Sequence, residues 1–235
     1  MQDSVSVCLL TRDELPFLKL WLPRVREFAD EVLVMDTGST DGSWEFIKSE
    51  LRGPNERACA IKNDQLEHQG FGATRRLLCA GAQCDWVWTL DADEMPGADQ
   101  RHEVKKVLAS SPSSVVSIHT WTYPGSALTD WDAINKMVVP TKESHRRIYR
   151  NGCSFEWKGF IHEELYWRET NAYGMAWQSP IIHHHYTNYR VWQDSSIKQK
   201  RYARMLLAAA DDPEKQKYVN GWWFKTYVLD KFTVS

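Results

Sequence analysis

Three carboxylates lie within four residues in the stretch VWTLDADEM (Val87–Met95), where Asp91, Asp93 and Glu94 directly follow a short apolar run. Neighbouring carboxylates repel one another, and burial favours their protonated form. A hard divalent cation such as Mg²⁺ or Mn²⁺ would offset that cost, because carboxylate oxygens are the ligands that these ions prefer. Since side chains alternate along a strand, we expect Asp91 and Asp93 to lie on the same side. The stretch therefore predicts a cation site that could bridge a diphosphate and neutralise charge on a leaving group.

The elements that must position these acids show alternating strand and helix signals through the first hundred residues. Strands are predicted over 4–10, 31–36, 58–62 and 85–90, with amphipathic helices between them, the first of which should kink or split at Pro23. This alternation predicts an α/β fold with a parallel sheet covered on both faces, whose ligands lie beyond the carboxyl ends of the strands. Asp36 and Asp91 each follow such an end and are site candidates, although an aspartate there could equally hold a turn or cap a helix.

The pattern changes after residue 111, where SVVSIHTWTY, HRRIYR and CSFEWKGF resemble strands without regular helices between them. HRRIYR could form a local basic patch, and we interpret it as an exposed strand edge. A helix is predicted around 194–210, and a further helix could begin in YVNGWWFKTYVLDKF. These signals indicate one α/β domain with a small mixed β extension, over residues 1–190, and a C-terminal helical segment over 191–235.

Composition restricts the class of protein. Hydrophobic residues make up 43% of the chain, and 29 basic against 31 acidic residues provide no broad charge for binding nucleic acid or an anionic membrane. The twelve tryptophans could form core or the flat faces of a sugar-binding cleft. The five cysteines include no CxxC pair and favour a reducing compartment. With no evident signal peptide or membrane span, we expect a cytoplasmic protein, free or peripheral to a membrane.

Three adjacent histidines, His183, His184 and His185, suggest a zinc site at first sight. Neighbours on a strand alternate between its faces, so the three rings cannot all face one ion, and zinc sites favour other spacings. If the segment is extended, His183 and His185 share one face and His184 points away.

Several motifs occur together in one order: SVCLLTRDE, DEVLVMDTGSTDGS, GFGATRRLLCAGAQCDWVWTLDADE, RRIYRN…FEWKGFIHEEL and IIHHHYTNY. This set resembles the family 2 glycosyltransferases, especially the branch with lipopolysaccharide-core glucosyltransferases and peptide S-glycosyltransferases. The resemblance covers roughly residues 4–210. It implies a GT-A (Rossmann-like) fold and transfer of a sugar from a nucleotide diphosphate, usually with inversion. It also implies a catalytic domain over 1–190, with a nucleotide-binding half (1–110) and an acceptor half (111–190).

For the donor, the resemblance implies that Thr11 and Arg12 line the nucleotide pocket and that Asp36 accepts a hydrogen bond from the base, commonly uracil. Arg75 matches an arginine that could stabilise the diphosphate through charge-assisted hydrogen bonds. Arg76 follows it where similar sequences usually carry asparagine.

For the cation, expected to be Mn²⁺ or Mg²⁺, the resemblance implies that Asp93 is a ligand and that Asp91 lies near the ribose or the metal. His185 aligns with a histidine that commonly completes the metal shell. Glu94 could face the sugar or cap the next turn.

For the acceptor, inversion requires a base that removes its proton, and motif position makes Glu163 the candidate, with Glu164 as the alternative. Gly159 would let the backbone approach the sugar, and Trp157 could offer a stacking face or simply belong to the core.

We therefore expect an inverting, metal-dependent hexosyltransferase that uses a UDP-sugar and an acceptor hydroxyl or thiol. The acceptor could be a glycan, a peptide or another biomolecule, and the near-neutral charge does not rule out a nucleic-acid base. A nucleotidyltransferase is an alternative, but LLTRDELP lacks the glycine-rich loop that such enzymes carry after the first strand. Another alternative is an inactive module that binds nucleotide-sugars. The retention of every acidic position argues against this alternative.

Overall fold

Ten strands and five α-helices are present in a computed structural model, which describes residues 3–62, 64–123, 141–169, 176–186, 195–210 and 212. The strands are β1 (Val5–Thr11), β2 (Glu31–Asp36), β3 (Glu56–Ala60), β4 (Trp86–Thr89), β5 (Glu94–Pro96), β6 (Val115–Thr122), β7 (Thr141–Arg150), β8 (Phe155–Lys158), β9 (Glu164–Trp167) and β10 (Trp177–His185). The helices are α1 (Leu15–Val25), α2 (Ser43–Glu50), α3 (Gln65–Cys79), α4 (Val104–Ala109) and α5 (Ser195–Ala210), with a 3₁₀ turn at Arg101–Glu103.

One eight-stranded sheet organises the molecule, in the order β3-β2-β1-β4-β7-β6-β10-β5. The pairs β3-β2, β2-β1, β1-β4 and β6-β10 are parallel, whereas β7 and β5 run antiparallel to their neighbours. Strands β8 and β9 form a separate antiparallel pair. The predicted fold class, a mostly parallel α/β sheet flanked by helices with a small β extension, is confirmed.

The two faces of the sheet are both covered, which explains why the central strands are apolar along their whole length. On one face, Val7 and Leu9 of β1 belong to the core that includes Trp21 of α1. On the other face, Cys8 belongs to a cluster with Leu78 of α3. All five cysteines are free thiols.

Helix α1 continues through Pro23 to Val25, so of the two expectations, a kink or a split, the split is wrong. A proline costs a helix the hydrogen bond from its own nitrogen and crowds the preceding turn. Pro23 lies in the last turn of the helix, which ends two residues later. Few hydrogen bonds of the helix are therefore lost or strained by the proline.

The interpretation of HRRIYR as an exposed strand edge is also wrong. These residues belong to β7, which pairs with β4 on one side and with β6 on the other. Two apolar residues follow the arginine pair, and both Ile148 and Tyr149 are buried. The segment is therefore interior to the sheet, and Arg147 lies close to the carboxyl end of β4, whereas Arg150 pairs with Trp86 at the amino end of that strand.

The C-terminal helix α5 packs against the segment that connects β8 to β9. Met205 and Leu206 are buried with Phe160 and Ile161 in one apolar cluster, as the predicted apolar face requires. The second helix expected in YVNGWWFKTYVLDKF lies outside the described residues. Within the described ranges, no helix combines the length and the apolar composition that crossing a membrane requires.

Helix α3 approaches the same segment backbone to backbone. The amides of Phe71 and Gly72 donate to the carbonyl oxygens of Phe160 and Gly159, each at 2.9 Å. A Cβ atom on Gly72 would lie 2.7 Å from the Gly159 carbonyl oxygen, a distance that real Cβ contacts essentially never show. Glycine is therefore required for this approach, and the positive φ of 80° at Gly70 bends the helix just before it.

We predict that Gly72→Ala lowers the free energy of unfolding by about 1–3 kcal/mol, because the added methyl group forces the helix and the segment apart. Gly81→Ala is the matched control, since its Cβ would meet its nearest atom, the Leu78 carbonyl oxygen, at an ordinary 3.4 Å. Urea denaturation measures both variants. Equal stability of Gly72→Ala and the wild type would contradict the close approach.

Candidate active site

A cleft of about 1160 Å³ opens at the carboxyl ends of the central strands. The cleft is lined by residues at and after the end of β1, by the 91–94 turn, by the start of β9 and by part of β7. Its volume is at the upper limit of what single small-molecule sites occupy, about 300–1,000 Å³. The cleft can therefore hold two substrates side by side.

Arg75 joins two of the predicted acids inside this cleft. Its Nη2 lies 2.8 Å from Asp91 Oδ1, its Nε donates to Glu163 Oε1, and only 6% of the side chain is exposed. The guanidinium also lies 5.6 Å from the centre of the Trp157 ring. Burial alone would lower the pKa of Arg75, but the charges of Asp91 and Glu163 raise it well above its usual range. Arg75 is therefore a permanent cation between two acids.

A second arginine, Arg147 of β7, holds the same acidic stretch from the other side. Its Nη2 lies 3.4 Å from Asp91 Oδ2 and 3.2 Å from Glu94 Oε1. Burial alone would raise the pKa of Asp91, but Arg75 and then Arg147 hold it well below its usual range. The charge of Asp91 is thus balanced by arginines, an arrangement that we did not predict from the sequence. The feature of the sequence that points to this arrangement is an arginine that is followed directly by residues of a buried strand.

The acids lie on a turn, because β4 ends at Thr89. Glu94 holds this turn closed: its Oε2 accepts a hydrogen bond from the Asp91 amide at 3.0 Å. The side chain is 2% exposed, and burial raises the pKa of Glu94. Asp91 and Asp93 both line the cleft, as expected. They do so because the turn brings them to the same side, and not because side chains alternate along a strand.

Asp93 lies beside the last of the three histidines, with its Oδ2 3.3 Å from His185 Nε2. The other ring nitrogen of His185 lies 3.2 Å from the Thr122 hydroxyl, which orients the ring. Among the described residues, no group of three or more His, Cys, Asp or Glu side chains is arranged to hold a metal. Mg²⁺ sites commonly use one or two protein carboxylates and complete the shell with substrate phosphates and water. The Asp93–His185 pair fits a cation of that kind, whereas both oxygens of Asp91 face arginines.

The other two histidines are not among the residues that line the cleft, although His183 Nε2 lies 3.7 Å from Oε1 of Glu94, which does line it. His183 is fully buried, and its Nε2 lies 2.8 Å from the Thr120 hydroxyl. His184 Nδ1 lies 2.5 Å from the Tyr123 hydroxyl. Of the three, only His185 lines the cleft.

The ends of β1 and β2 carry buried polar atoms that lack hydrogen-bond partners among the described residues. Asp36 Oδ1 accepts from the amides of Gly38 and Ser39 at 2.8 and 2.9 Å, so it holds the turn after β2. Its Oδ2 has no partner, and neither has Thr11 Oγ1 nor Arg12 Nη1. Buried polar atoms in folded proteins are usually hydrogen-bonded. Thr11 and Arg12 line the cleft, so their atoms indicate the place of a polar ligand, whereas Asp36 directly precedes Thr37 in the chain and is not among the residues that line the cleft.

The segment that leads from β8 into β9 brings two more carboxylates to the cleft, since Glu163 and Glu164 both line it. Gly159 has a φ of 120°, and a Cβ there would lie 2.9 Å from Glu163 Cα, so its small size lets the segment fold back on itself. Burial raises the pKa of Glu164. Trp157 lines the cleft but is 2% exposed.

Arg76, the unusual residue after Arg75, donates from Nη1 to the Trp157 carbonyl oxygen at 2.9 Å. It ties α3 to β8 and is not among the residues that line the cleft.

Comparisons with known proteins agree with this geometry. The chain is 26% identical over 227 residues to a TPR repeat-containing protein of Synechococcus elongatus, covering 90% of this chain and 49% of that protein. It is 21% identical to the SPbeta prophage-derived glycosyltransferase SunS of Bacillus subtilis, covering 97% of this chain and 50% of SunS. The chain therefore spans about half the length of these curated relatives.

Among solved structures, Staphylococcus aureus TarS in complex with UDP-GlcNAc superimposes with a TM-score of 0.54 at 15% identity, covering 99% of this chain and 73% of that one. At this identity the likeness is one of fold. The family model described as glycosyl transferase family 2 matches residues 6–191. With a fold of the GT-A type and most of its length matched, the chain belongs to glycosyl transferase family 2.

Proposed function

We propose that the cleft transfers a hexose from a UDP-sugar to a hydroxyl or thiol of an acceptor, with inversion. The observation that carries this proposal is the set of buried, unpartnered polar atoms at the ends of β1 and β2, which we assign as the nucleotide end. Arg12 Nη1 and Arg75 Nη1 are donors suited to phosphate oxygens, and Asp36 Oδ2 is an acceptor suited to a base N–H. A nucleoside diphosphate offers both kinds of group along one molecule.

The donor end would be organised by the strand ends. Asp36 would accept from the uracil, with Thr11 and Arg12 along the nucleoside. Arg75 lines the cleft between this end and Glu163. Its free Nη1 would donate to the diphosphate, where it stabilises the charge that develops as UDP leaves.

Asp93 and His185 would hold Mn²⁺ or Mg²⁺. When bound, the cation supplies Lewis-acid stabilisation of the diphosphate leaving group. The two ligands lie in contact, and Thr122 holds the histidine ring in place. Asp91 is engaged by Arg75 and Arg147, so we assign it to fixing these arginines beside the diphosphate and the ribose.

The acceptor would enter from the end lined by β7 and β9. Its oxygen or sulfur attacks the anomeric carbon, the bond from that carbon to the diphosphate breaks, and the acceptor proton passes to Glu163. The hydrogen bond from Arg75 fixes the position of the Glu163 carboxylate. Glu164 is the alternative base, while Gly159 and Trp157 would shape the sugar site.

We predict that two variants distinguish the residues that bind the donor from the residue that acts in transfer. The assay is a screen of UDP-sugar donors in which the release of free UDP is measured. Asp93→Ala should weaken metal-dependent UDP binding at least about 10-fold, because it removes a charged ligand. Glu163→Gln should keep UDP affinity within about threefold and lower transfer about 10²- to 10⁴-fold.

Glu103→Gln is the control, an exposed carboxylate outside the cleft lining. Normal transfer by both Asp93→Ala and Glu163→Gln would contradict the site. Loss of transfer in Glu164→Gln with normal transfer in Glu163→Gln would move the base by one residue. UDP-sugar binding by the wild type without transfer or hydrolysis across a broad acceptor panel would identify a binding module.

We further predict that chelation of divalent cations abolishes transfer and that adding Mn²⁺ or Mg²⁺ restores it. His185→Ala should raise the metal concentration for half-maximal activity at least about 10-fold, since it removes one of two protein ligands. At saturating metal the variant should regain much of its rate. Transfer that is unaffected by chelation would contradict the assignment of a cation to Asp93 and His185.

A further inference from the structure

A third arginine with an unpartnered buried atom lines the cleft, and it comes from helix α5. The Nε of Arg201 is buried without a hydrogen-bond partner among the described residues, as is the Nη1 of Arg12. Both side chains line the cleft, Arg12 from directly after β1 and Arg201 from helix α5. The family match ends at residue 191, so α5 lies beyond it.

Two acids, Glu67 and Asp13, lie near this pair of arginines. Arg12 Nη1 lies 4.0 Å from Glu67 Oε1, and Arg204 Nη2 approaches the same oxygen at 3.7 Å. The nearby Asp13 already accepts from the amide and hydroxyl of Thr40 at 2.6 and 3.1 Å. Both acids therefore counter part of the positive charge of the arginines, but the Nε of Arg201 and the Nη1 of Arg12 have no hydrogen-bond partner among the described residues.

Burial makes the unpartnered nitrogens of these two guanidinium groups costly. Desolvation lowers the pKa of Arg201, and the like charge of Arg12 lowers it further. Two cations that are partly removed from water and face the same space would be stabilised by an anion between them. The guanidinium group suits phosphate oxygens in particular, because its planar set of donors matches their geometry.

The position of Arg201 is set by packing that is independent of its charge. The neighbouring Ala203 and Leu206 are buried against Phe160 and Ile161, and Arg201 itself extends over the Phe71 ring at 6.0 Å. The register of α5 thus directs Arg201 into the cleft. The exposed Lys200, one residue earlier, is not among the residues that line it.

We infer that Arg12 and Arg201 together bind a phosphate group of the nucleotide donor, so that helix α5 completes the donor site. The inference rests on the proposed function, because it assigns the anion to the nucleotide. Arg12 directly follows Thr11 at the end of β1, next to the turn that carries Asp36. This is the nucleotide end of the cleft, whereas the acceptor end lies at β7 and β9.

The test compares UDP, uridine and inorganic pyrophosphate as probes, with Arg201→Gln measured by calorimetry against the wild type. UDP and pyrophosphate affinity should fall about 10- to 100-fold, because a charge-assisted hydrogen bond is lost, while uridine affinity stays unchanged. Arg201→Lys should regain part of the UDP affinity, since it restores the charge. The control Lys200→Gln removes a positive charge from the same helix outside the cleft and should bind UDP as the wild type does.

Three results would overturn the inference. Wild-type affinity of Arg201→Gln for UDP would remove Arg201 from the donor site and leave the proposed function intact. Equal losses for UDP and uridine would indicate that the substitution only disturbs α5. A raised KM for the acceptor with unchanged UDP affinity would assign the anion to the acceptor. By contrast, a wild type that binds none of the three probes would refute the proposed function together with the inference.

Discussion

The site depends on the buried ion pairs of Arg75. This side chain of α3 connects Asp91, on the turn after β4, with Glu163, on the segment before β9. Removing one partner of a buried ion pair leaves an uncompensated charge and costs about 3–5 kcal/mol. The positions of the candidate base and of the acidic turn are thus coupled to one guanidinium, whose remaining nitrogen Nη1 is buried and has no partner among the described residues.

Backbone packing makes this arrangement possible. The close approach of Gly72 to Gly159 brings α3 next to the segment that carries Glu163, and α5 covers the same segment from outside through Phe160. On the other side, Arg147 reaches the acidic turn because β7 is inserted beside β4 in the sheet. The elements that stabilise the fold are therefore the ones that hold the charged side chains at fixed distances.

Much of this could be predicted from the sequence, because periodic apolar runs indicate strands and helices and because parallel strands bring their carboxyl ends together. The alternation in the first hundred residues indicated the sheet, and strand alternation singled out His185 or His183 over His184. The contacts of Arg147 and Arg201 could not be predicted. They depend on which strand is inserted next to β4 and on the register of α5, and those are properties of tertiary packing. HRRIYR was interpreted as an edge for the same reason, since its sequence does not show that β6 and β4 both pair with it.

The most direct test is to measure the affinity for UDP by calorimetry at saturating Mn²⁺ and to compare the wild type with Arg75→Lys. Lysine keeps the positive charge between Asp91 and Glu163 but cannot contact both acids and still donate from a third nitrogen. If the unpartnered Nη1 of Arg75 binds the diphosphate, the variant should bind UDP about 10-fold or more weakly, with uridine affinity unchanged. Equal UDP affinity of the two proteins would contradict the account.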